Sequence, residues 1–246
     1  MKADPFAQLR LLDLQALDTT LDQLAHKRRT LPEIAEMSRR DQLMAERRDD
    51  IALAESAVRD LQRDLDKAEA DIEQVRQRKD RDEGRLTSGA ITVPKQLEEL
   101  QHEVATLTKR QSDLEDAELE VMERMEDAQK GLDALLAERT AHIEARAAAE
   151  VARDAGWLQI DGEIAAATGE RVTVAAEIPA DLLALYEKIR AAEGGIGVGA
   201  IERGRCGACR LDLMNNEKTE YRDASVDEVL RHECRRILVR TAESGL

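Results

Sequence analysis

Apolar residues recur at alternating spacings of three and four along most of this chain, and this heptad pattern restricts the fold more than any other feature. Such spacing is typical of helices that pack along a coiled-coil seam and carry their charges on the other faces. An early run is Leu14, Leu17, Leu21 and Leu24. The main seam positions are Ile51, Ala54, Val58, Leu61, Leu65, Ala68, Ile72 and Val75, followed by Leu97, Leu100, Val104, Leu107, Leu114, Val121, Met125, Ala128, Leu132 and Leu135.

The composition favours long helices over a compact core. Charged residues make up 36% of the 246 residues, against about 25% in an ordinary globular domain. Aromatic residues make up only 2%, although large aromatic side chains supply much of a compact core. The chain is therefore predicted to be mainly α-helical.

Two interruptions divide the heptad pattern. At the first, Thr30 and Glu33 have the spacing of a capping box and Pro32 suits a first helical turn, so we expect one helix to end near Arg29 and the next to begin near Pro32. At the second, the stretch GRLTSGAITVPKQLEEL loses the pattern and is rich in glycine and β-branched residues. We expect this stretch to form the tip of a helical hairpin, near residues 86–94.

The lengths of the helical segments fit a hairpin within one chain. The segment from Glu33 to Gly84 pairs with a helix that begins at Lys95, and the remainder of that second helix, to about Thr168, can pair with residues 5–29. Pairing of the heptads between two chains is the alternative. The predicted fold is a long antiparallel coiled-coil hairpin over residues 1–175, a short helix and linker over 176–200, and a small β-rich zinc ribbon over 201–246.

All three cysteines lie near the end of the chain. Cys206 and Cys209 form a C-x-x-C pair, and Cys234 follows 25 residues after Cys209. Two thiolates at this spacing on a tight turn can bind one zinc ion at about 2.3 Å. A redox role is the alternative, but a thioredoxin-like pair needs a βαβ setting that this stretch lacks.

The other ligands are expected near Cys234, after a gap long enough for two β-hairpins. Arg231 stands where a second C-x-x-C would begin, and arginine is not a zinc ligand. His232 follows and would complete a site of three cysteines and one histidine; Glu233 could supply an oxygen ligand instead. A solvated His232 and a buried apolar thiol at Cys234 are the simpler alternatives.

A site closed by four protein groups would be structural, because a catalytic zinc keeps one position for water. We therefore predict one structural Zn²⁺. A lone C-terminal domain of about 45 residues would depend on that metal for folding. On this view, replacing Cys206 or Cys234 by serine unfolds the C-terminal end and leaves the helices intact.

The chain resembles a bacterial family with a coiled-coil hairpin followed by a four-cysteine zinc ribbon, a domain of unknown function. The resemblance covers nearly the whole chain. It is carried by the stretches LLDLQALDTTLDQL, VPKQLEELQHEV, IPADLLALYEKIR, CGACRLDL and CRRILVR. The family's second knuckle reads Cys-x-x-Cys-Gly-Arg-Ile-Leu; here Arg231 replaces its first cysteine and Arg235 its glycine. The resemblance implies nucleic-acid or protein binding and no enzyme activity.

The charge distribution limits where a nucleic acid could bind. The formal net charge is −15, yet residues 201–240 hold nine basic and eight acidic side chains, or about +1. Phosphate contacts are therefore expected at the ribbon, through Arg231, Arg235, Arg236 and Arg240. Arginines interleaved with acids are also common on a solvated face, and Tyr221 is the one aromatic residue of the ribbon available for stacking.

The function that the sequence favours is that of a non-enzymatic protein adaptor or scaffold, and nucleic-acid binding is the alternative. Ile91, Val93 and Lys95 at the tip are expected to contact a protein partner, since a loop either hides its apolar residues or uses them. Packing of Ile91 and Val93 against the helix ends is the simpler alternative.

Enzyme activity is not expected. His26, His102 and His142 lie on helices without a cluster of catalytic groups, and EGGIGVG is a helix exit rather than a nucleotide loop. No small-molecule substrate is predicted. The stretch MKADPFAQLRLLDLQ has acids where a signal peptide would be apolar, and no apolar run is long enough to span a membrane, so we expect a cytoplasmic protein without membrane contact.

Overall fold

The computed structural model describes residues 1–89 and 91–246. The helices are α1 (Pro5–Arg29), α2 (Pro32–Thr87), α3 (Pro94–Ala176), α4 (Ala180–Ala192) and α5 (Asn215–Asp223). The strands are β1 (Val198–Glu202), β2 (Arg205–Cys206), β3 (Leu230–Arg231) and β4 (Ile237–Val239). The predicted fold class is confirmed: a long helical hairpin is followed by a small region that contains strands.

The described residues form two compact units. One consists of residues 1–35 and 150–246, and the other of residues 36–149. This division differs from the predicted boundaries at 175 and 200. The reason is a hydrophobic core in which Leu11 and Leu14 of α1 join Leu182 of α4 with Val198 of β1 and Ile237 of β4.

In the unit of residues 36–149, α2 and α3 pack antiparallel along the predicted seam. Ile51, Leu61 and Leu65 of α2 are buried, as are Leu107 and Leu132 of α3. Ion pairs join the flanks of the two helices and show the direction of pairing, because early α2 residues meet late α3 residues. They are Asp41–Arg146, Arg47–Glu138 and Arg78–Glu103. The heptads therefore pair within one chain.

The break between α1 and α2 lies where it was predicted, but the capping box is wrong. The Thr30 hydroxyl donates to the carbonyl of His26 at 2.9 Å, and the Thr30 backbone N–H also bonds to that carbonyl. Thr30 thus ends α1 instead of starting α2. Its hydroxyl donates to a carbonyl at the C-terminus of α1, where the last carbonyls lack partners within the helix.

In the other unit, the strands form one mixed sheet in the order β2-β1-β4-β3. β1 pairs parallel with β4, and Val198 stands opposite Ile237. β2 pairs antiparallel with β1, and β3 pairs antiparallel with β4. A second core lies against Cys209 and Cys234 and contains Ile201, Cys206, Leu213, Tyr221, Leu230 and Leu238.

The segment between Cys209 and His232 was expected to form two β-hairpins, and this expectation is wrong. It contains helix α5, whose Tyr221 is buried in the second core. The Tyr221 hydroxyl donates to the carbonyl of Arg231 at 3.0 Å. A helix suits this segment because Glu217 and Tyr221 are four residues apart and lie on the same face. That face packs on the core, while the other side chains remain in solvent.

A buried polar network links α1 to α4 and to the glycine loop before β1. Asp18 accepts hydrogen bonds from the Tyr186 hydroxyl at 2.7 Å and from Arg171 Nε at 2.6 Å. Gln15 accepts from the backbone N–H of Gly197 at 2.7 Å. Burial and the neighbouring Asp18 raise the pKa of Tyr186, so its hydroxyl stays protonated and donates. The network fixes the entry of the chain into β1.

None of the helices in the described ranges is both long enough and apolar enough to cross a membrane.

Candidate metal centre

Cys206 and Cys209 lie on a tight turn at the end of β2. We call this turn the first knuckle. Cys206 N–H donates to the carbonyl of Leu211, and Arg210 N–H donates to the carbonyl of Cys206 at 2.7 Å. The backbone N–H of Cys209 points at the sulfur of Cys206, with a distance of 3.4 Å. The turn therefore aims both sulfurs to one side.

Two glycines let the first knuckle lie directly against β1. A Cβ atom at Gly207 would stand 2.7 Å from the carbonyl oxygen of Ala200, and one at Gly199 would overlap the backbone nitrogen of Ala208. Gly207 N–H also donates to the Ala200 carbonyl at 2.8 Å. No side chain fits between knuckle and strand at these points.

The second turn joins β3 to β4. His232 N–H donates to the carbonyl of Arg236, and Arg235 N–H donates to the carbonyl of His232 at 2.8 Å. Arg235 has a φ of 68°, the left-handed conformation that favours glycine. This turn holds His232 and Cys234 on the side of the sheet where Cys206 lies.

The structure brings the four predicted metal ligands together. One ligand atom each from Cys206, Cys209, His232 and Cys234 lies within 4.8 Å of the others. Cys206 Sγ is 3.9 Å from Cys234 Sγ, and Cys209 Sγ is 3.5 Å from His232 Nδ1. Glu233, the alternative ligand, is exposed and stands outside this group.

The Cys206–Cys234 and Cys209–His232 distances are close to the edges of a tetrahedral site. With metal–sulfur bonds of about 2.3 Å and a metal–nitrogen bond of about 2.0–2.1 Å, the edges of a tetrahedron are about 3.5–3.8 Å. Cys206 is fully buried and His232 is 7% exposed, while Cys209 and Cys234 are half-buried. Three sulfurs and one imidazole nitrogen are a donor set typical of zinc.

Glu217 of α5 supports the histidine from outside the cluster. Its Oε1 lies 3.8 Å from His232 Nε2, and its side chain is almost fully buried. The carboxylate also accepts the backbone N–H of Met214 at 2.8 Å and the Tyr221 hydroxyl at 3.2 Å. A carboxylate next to Nε2 favours the proton on that nitrogen, which leaves Nδ1 free to bind a metal.

The thiols of the first knuckle differ in acidity. Burial raises the pKa of Cys206 to about 12. Burial also acts to raise the pKa of Cys209, but the backbone N–H of Leu211 and the neighbouring thiols hydrogen-bond to its sulfur and bring its pKa below the ordinary value. A bound cation would stabilise the thiolate of both residues.

Two of the four predicted phosphate-binding arginines are used inside the fold. Arg236 donates to the carbonyls of Ile196 and Glu193, at 3.0 and 2.7 Å. Arg240 donates to the carbonyls of Tyr221, Ala224 and Ser225. These half-buried guanidinium groups tie loops together.

The other two arginines are exposed and share a cleft. Arg231 and Arg235 line a cavity of about 220 Å³ together with Lys188 of α4. Arg231 Nη2 donates to the carbonyl of Arg235 at 2.8 Å, which holds the two residues side by side. The cleft gives this end of the unit three neighbouring cations.

The three predicted partner-binding residues lie at the loop between α2 and α3. Val93 is 48% exposed, and its carbonyl accepts the N–H groups of Gln96 and Leu97 at the start of α3. Lys95 is exposed, while Ile91 is half-buried in a small groove that includes Leu100. Val93 is thus presented to solvent, and Ile91 partly packs against the hairpin.

Sequence reasoning missed Glu217 and Lys188. Neither residue carries a motif. Glu217 reaches His232 because α5 folds over the second core, and Lys188 meets the arginines because α4 packs beside the second turn. For Glu217, the nearest signal in the sequence is an acidic residue in the first turn of a helix that follows a hydrophobic pair. This pattern is too common to identify a site.

Comparisons with known proteins identify the hairpin. Residues 14–194 match the model of the CT398-like coiled coil hairpin domain. The uncharacterized protein Rv2229c of Mycobacterium tuberculosis is 39% identical, over 98% of both chains. The uncharacterized protein ML1638 of Mycobacterium leprae is 32% identical over 89% of this chain and 94% of its own.

Solved structures share the fold. A Mycobacterium smegmatis structure matches with a TM-score of 0.83 and 35% identity, covering 98% of this chain and 100% of that chain. CT398 from Chlamydia trachomatis matches with a TM-score of 0.64 and 19% identity, covering 96% and 98%. The second match shows the fold alone. The resemblance found in the sequence is confirmed, and the chain belongs to the family that carries the CT398-like coiled coil hairpin domain.

Proposed function

We propose that this protein is a non-enzymatic adaptor or scaffold with one structural zinc ion, and that the loop between α2 and α3 contacts a protein partner. The observation that carries the proposal is the exposure of Val93, 48%, in a hairpin loop next to the exposed Lys95. Loops that a rigid scaffold positions carry a disproportionate share of binding residues. The cysteine-rich end favours the reducing cytoplasm as its location.

Zinc is proposed for the four-residue cluster on its donor set. Three thiolates and an imidazole would fill all four positions of a tetrahedral ion, so no position remains for water or substrate. Cys206, Cys209, His232 and Cys234 are the ligands. One zinc per chain in metal analysis of the purified protein supports this; zinc far below one per chain, with the thiols reduced, contradicts it.

The partner contact is tested with Ile91→Asp/Val93→Asp. We expect the pull-down of partner proteins to be lost while the helical circular dichroism stays the same, because the loop residues contribute little to the seam. Leu119→Asp/Met122→Asp is the matched control, since these two α3 side chains are 57% and 40% exposed. Equal loss of binding in both variants, or a parallel loss of helicity, would contradict the proposal.

A nucleic-acid contact at the ribbon is the second candidate function. The observation that favours it is the cleft that Lys188, Arg231 and Arg235 share. The test is filter binding of single-stranded RNA and duplex DNA at low and physiological salt, with Arg231→Ala/Arg235→Ala as the variant. Salt-sensitive binding that falls in the variant supports this function.

Arg236 is unsuited to that test because its guanidinium holds two backbone carbonyls. Its replacement would disturb the loop before β1, and a loss of binding would then have two explanations. Absence of binding at low salt, with zinc present at one per chain, would exclude the nucleic-acid function and leave the protein partner.

A further inference from the structure

A groove with an arginine rim lies between α2 and α3, close to the loop that joins them. We call it the tip groove. Its cavity volume is about 910 Å³, enough for several side chains of a partner rather than one small ion. Arg78, Arg81 and Arg85 of α2 form one side, and Arg110 of α3 stands on the other. All four are exposed.

The arginines of α2 share one helical face because they are three, four and seven residues apart. Arg78 pairs with Glu103 across the groove, and Arg85 is 3.4 Å from Asp82. Among the described residues, neither Arg81 nor Arg110 has an ion-pair partner. Two guanidinium groups therefore face the groove with their charge uncompensated.

The floor of the tip groove is aliphatic. Val75 of α2 and Leu100 and Leu107 of α3 line it. Leu107 is 8% exposed, and the other two are half-buried. Where α2 and α3 diverge enough to open a groove, a third helix can insert an apolar face between them.

The stretch that contains the tip groove has a net positive charge, unlike the stretch of α3 that follows it. Residues 74–110 hold eight basic and six acidic side chains, which is +2 in total. Residues 111–127, which follow directly on α3, hold one basic and eight acidic side chains, which is −7. An acidic partner is therefore attracted to the groove and repelled by the neighbouring stretch of helix.

A protein helix fits the groove better than a nucleic acid does. The four aromatic residues of the chain, Phe6, Trp157, Tyr186 and Tyr221, all lie outside residues 36–149, so the groove offers no surface for base stacking. The aliphatic floor can pack against leucines of a partner helix, and the arginine rim can pair with glutamates that flank those leucines.

We propose that the tip groove binds an acidic amphipathic helix of a protein partner, with its apolar face on Val75, Leu100 and Leu107 and its carboxylates on Arg81 and Arg110. This inference rests on the proposed adaptor function and names the chemistry of its partner. The loop residue Val93 is not part of the groove wall, whereas Ile91 adjoins it at Leu100.

The test is fluorescence anisotropy with full-length protein and a labelled probe peptide. The probe is a three-heptad helix with leucine at the apolar positions and glutamate beside them; a peptide of the same composition in scrambled order is the control ligand. We expect binding that weakens as salt increases, and a loss of at least about tenfold in Arg81→Glu/Arg110→Glu. The scrambled peptide should bind at least about tenfold more weakly.

Lys67→Glu/Arg124→Glu is the matched control, because it makes the same charge change at exposed positions of the same two helices outside the groove. Equal losses in both double variants, equal binding of the scrambled peptide, or no binding of the probe at low salt would overturn the proposal. So would single-stranded RNA that binds at Arg81 and Arg110 in place of the probe.

The loop variant Val93→Asp separates this inference from the proposed function, because Ile91 lies against Leu100 of the groove floor. Val93→Asp should retain probe binding within about twofold, because Val93 is not part of the groove wall. Loss of the pull-down in the loop variant tests the adaptor function, and loss of the probe in the arginine variant tests the groove. Either of these two predictions can fail while the other is confirmed.

Discussion

His232 is the residue that turns three cysteines into a four-donor cluster. Its Nδ1 stands 3.5 Å from Cys209 Sγ, and its ring is buried between the second turn and α5. A solvated histidine would have had no such contacts. The neighbouring Glu233 points to solvent, so the choice of ligand at this corner follows from which side of the turn each residue faces.

Replacing His232 tests the fourth corner of the site. His232→Ala should lower the zinc content well below one per chain, whereas His232→Cys should restore it, because a thiolate is an equivalent zinc ligand. Metal analysis of the purified variants measures both. Full zinc content in His232→Ala would show that another group occupies this corner.

Glu217 is expected to act on the metal through His232. Glu217→Gln should weaken zinc binding by about 10–100-fold, since outer carboxylates orient ligating histidines and raise their basicity. Competition with a chelator of known affinity measures the change. Glu220→Gln is the control, because Glu220 is exposed on the same helix; a similar effect in both variants would argue for a general charge effect.

At the scale of elements, the knuckles depend on how closely two backbone segments approach. β1 and the first knuckle are in direct contact at Gly199 and Gly207. The sequence predicted a β-rich ribbon around the cysteines and a helix exit at EGGIGVG. It did not predict the parallel pairing of β1 with β4, because that register depends on residues about 40 positions apart.

Two glycine replacements in the same unit should have opposite effects. Gly199→Ala should lower stability by more than about 1 kcal/mol and weaken zinc binding, because its Cβ would overlap the backbone of Ala208. Gly169→Ala in α3 should raise stability by about 0.5–1 kcal/mol, since a Cβ there meets nothing within 4 Å and alanine favours the helix.

Thermal or denaturant unfolding of the two glycine variants gives the stability changes, and chelator competition gives the zinc affinity. Gly169→Ala should leave zinc binding unchanged. If Gly199→Ala bound zinc as tightly as the original protein, the close approach of strand and knuckle would not be needed for the site.

For the molecule as a whole, a hydrophobic core shared with α1 anchors the C-terminal strands. Val198, Ile237 and Val239 are buried in the same core as Leu11 and Leu14 of α1. The expectation of a separate 45-residue domain held by zinc alone therefore needs correction. The ends of the chain share one core, and hydrophobic burial supports the strands independently of the cluster.

Metal removal should consequently unfold only part of this end. After chelation under reducing conditions, amide hydrogen exchange should accelerate at Cys209 and Arg210 in the first knuckle and at Arg235 in the second. The amide of Ile237, which bonds to the carbonyl of Gly197, should stay protected, and helical circular dichroism should change little.

Cys206→Ser and Cys234→Ser should reproduce this graded pattern. Proteolysis confined to the two turns agrees with it. Cleavage throughout residues 198–246 after chelation would show that the metal holds the whole C-terminal end, and the shared core would then be too weak to keep β1 and β4 in place.

The sequence by itself determined the helical hairpin, its breaks and the three cysteines of the cluster, and it left His232 and Glu233 as alternatives for the fourth residue. Periodicity, proline, glycine and cysteine spacing are local signals, and local signals specify helices, turns and knuckles. The tertiary structure alone decided that Glu217 lies beside His232. It also decided that Arg236 and Arg240 donate to backbone carbonyls within the fold. These roles depend on contacts between segments far apart in the chain, which no local pattern encodes.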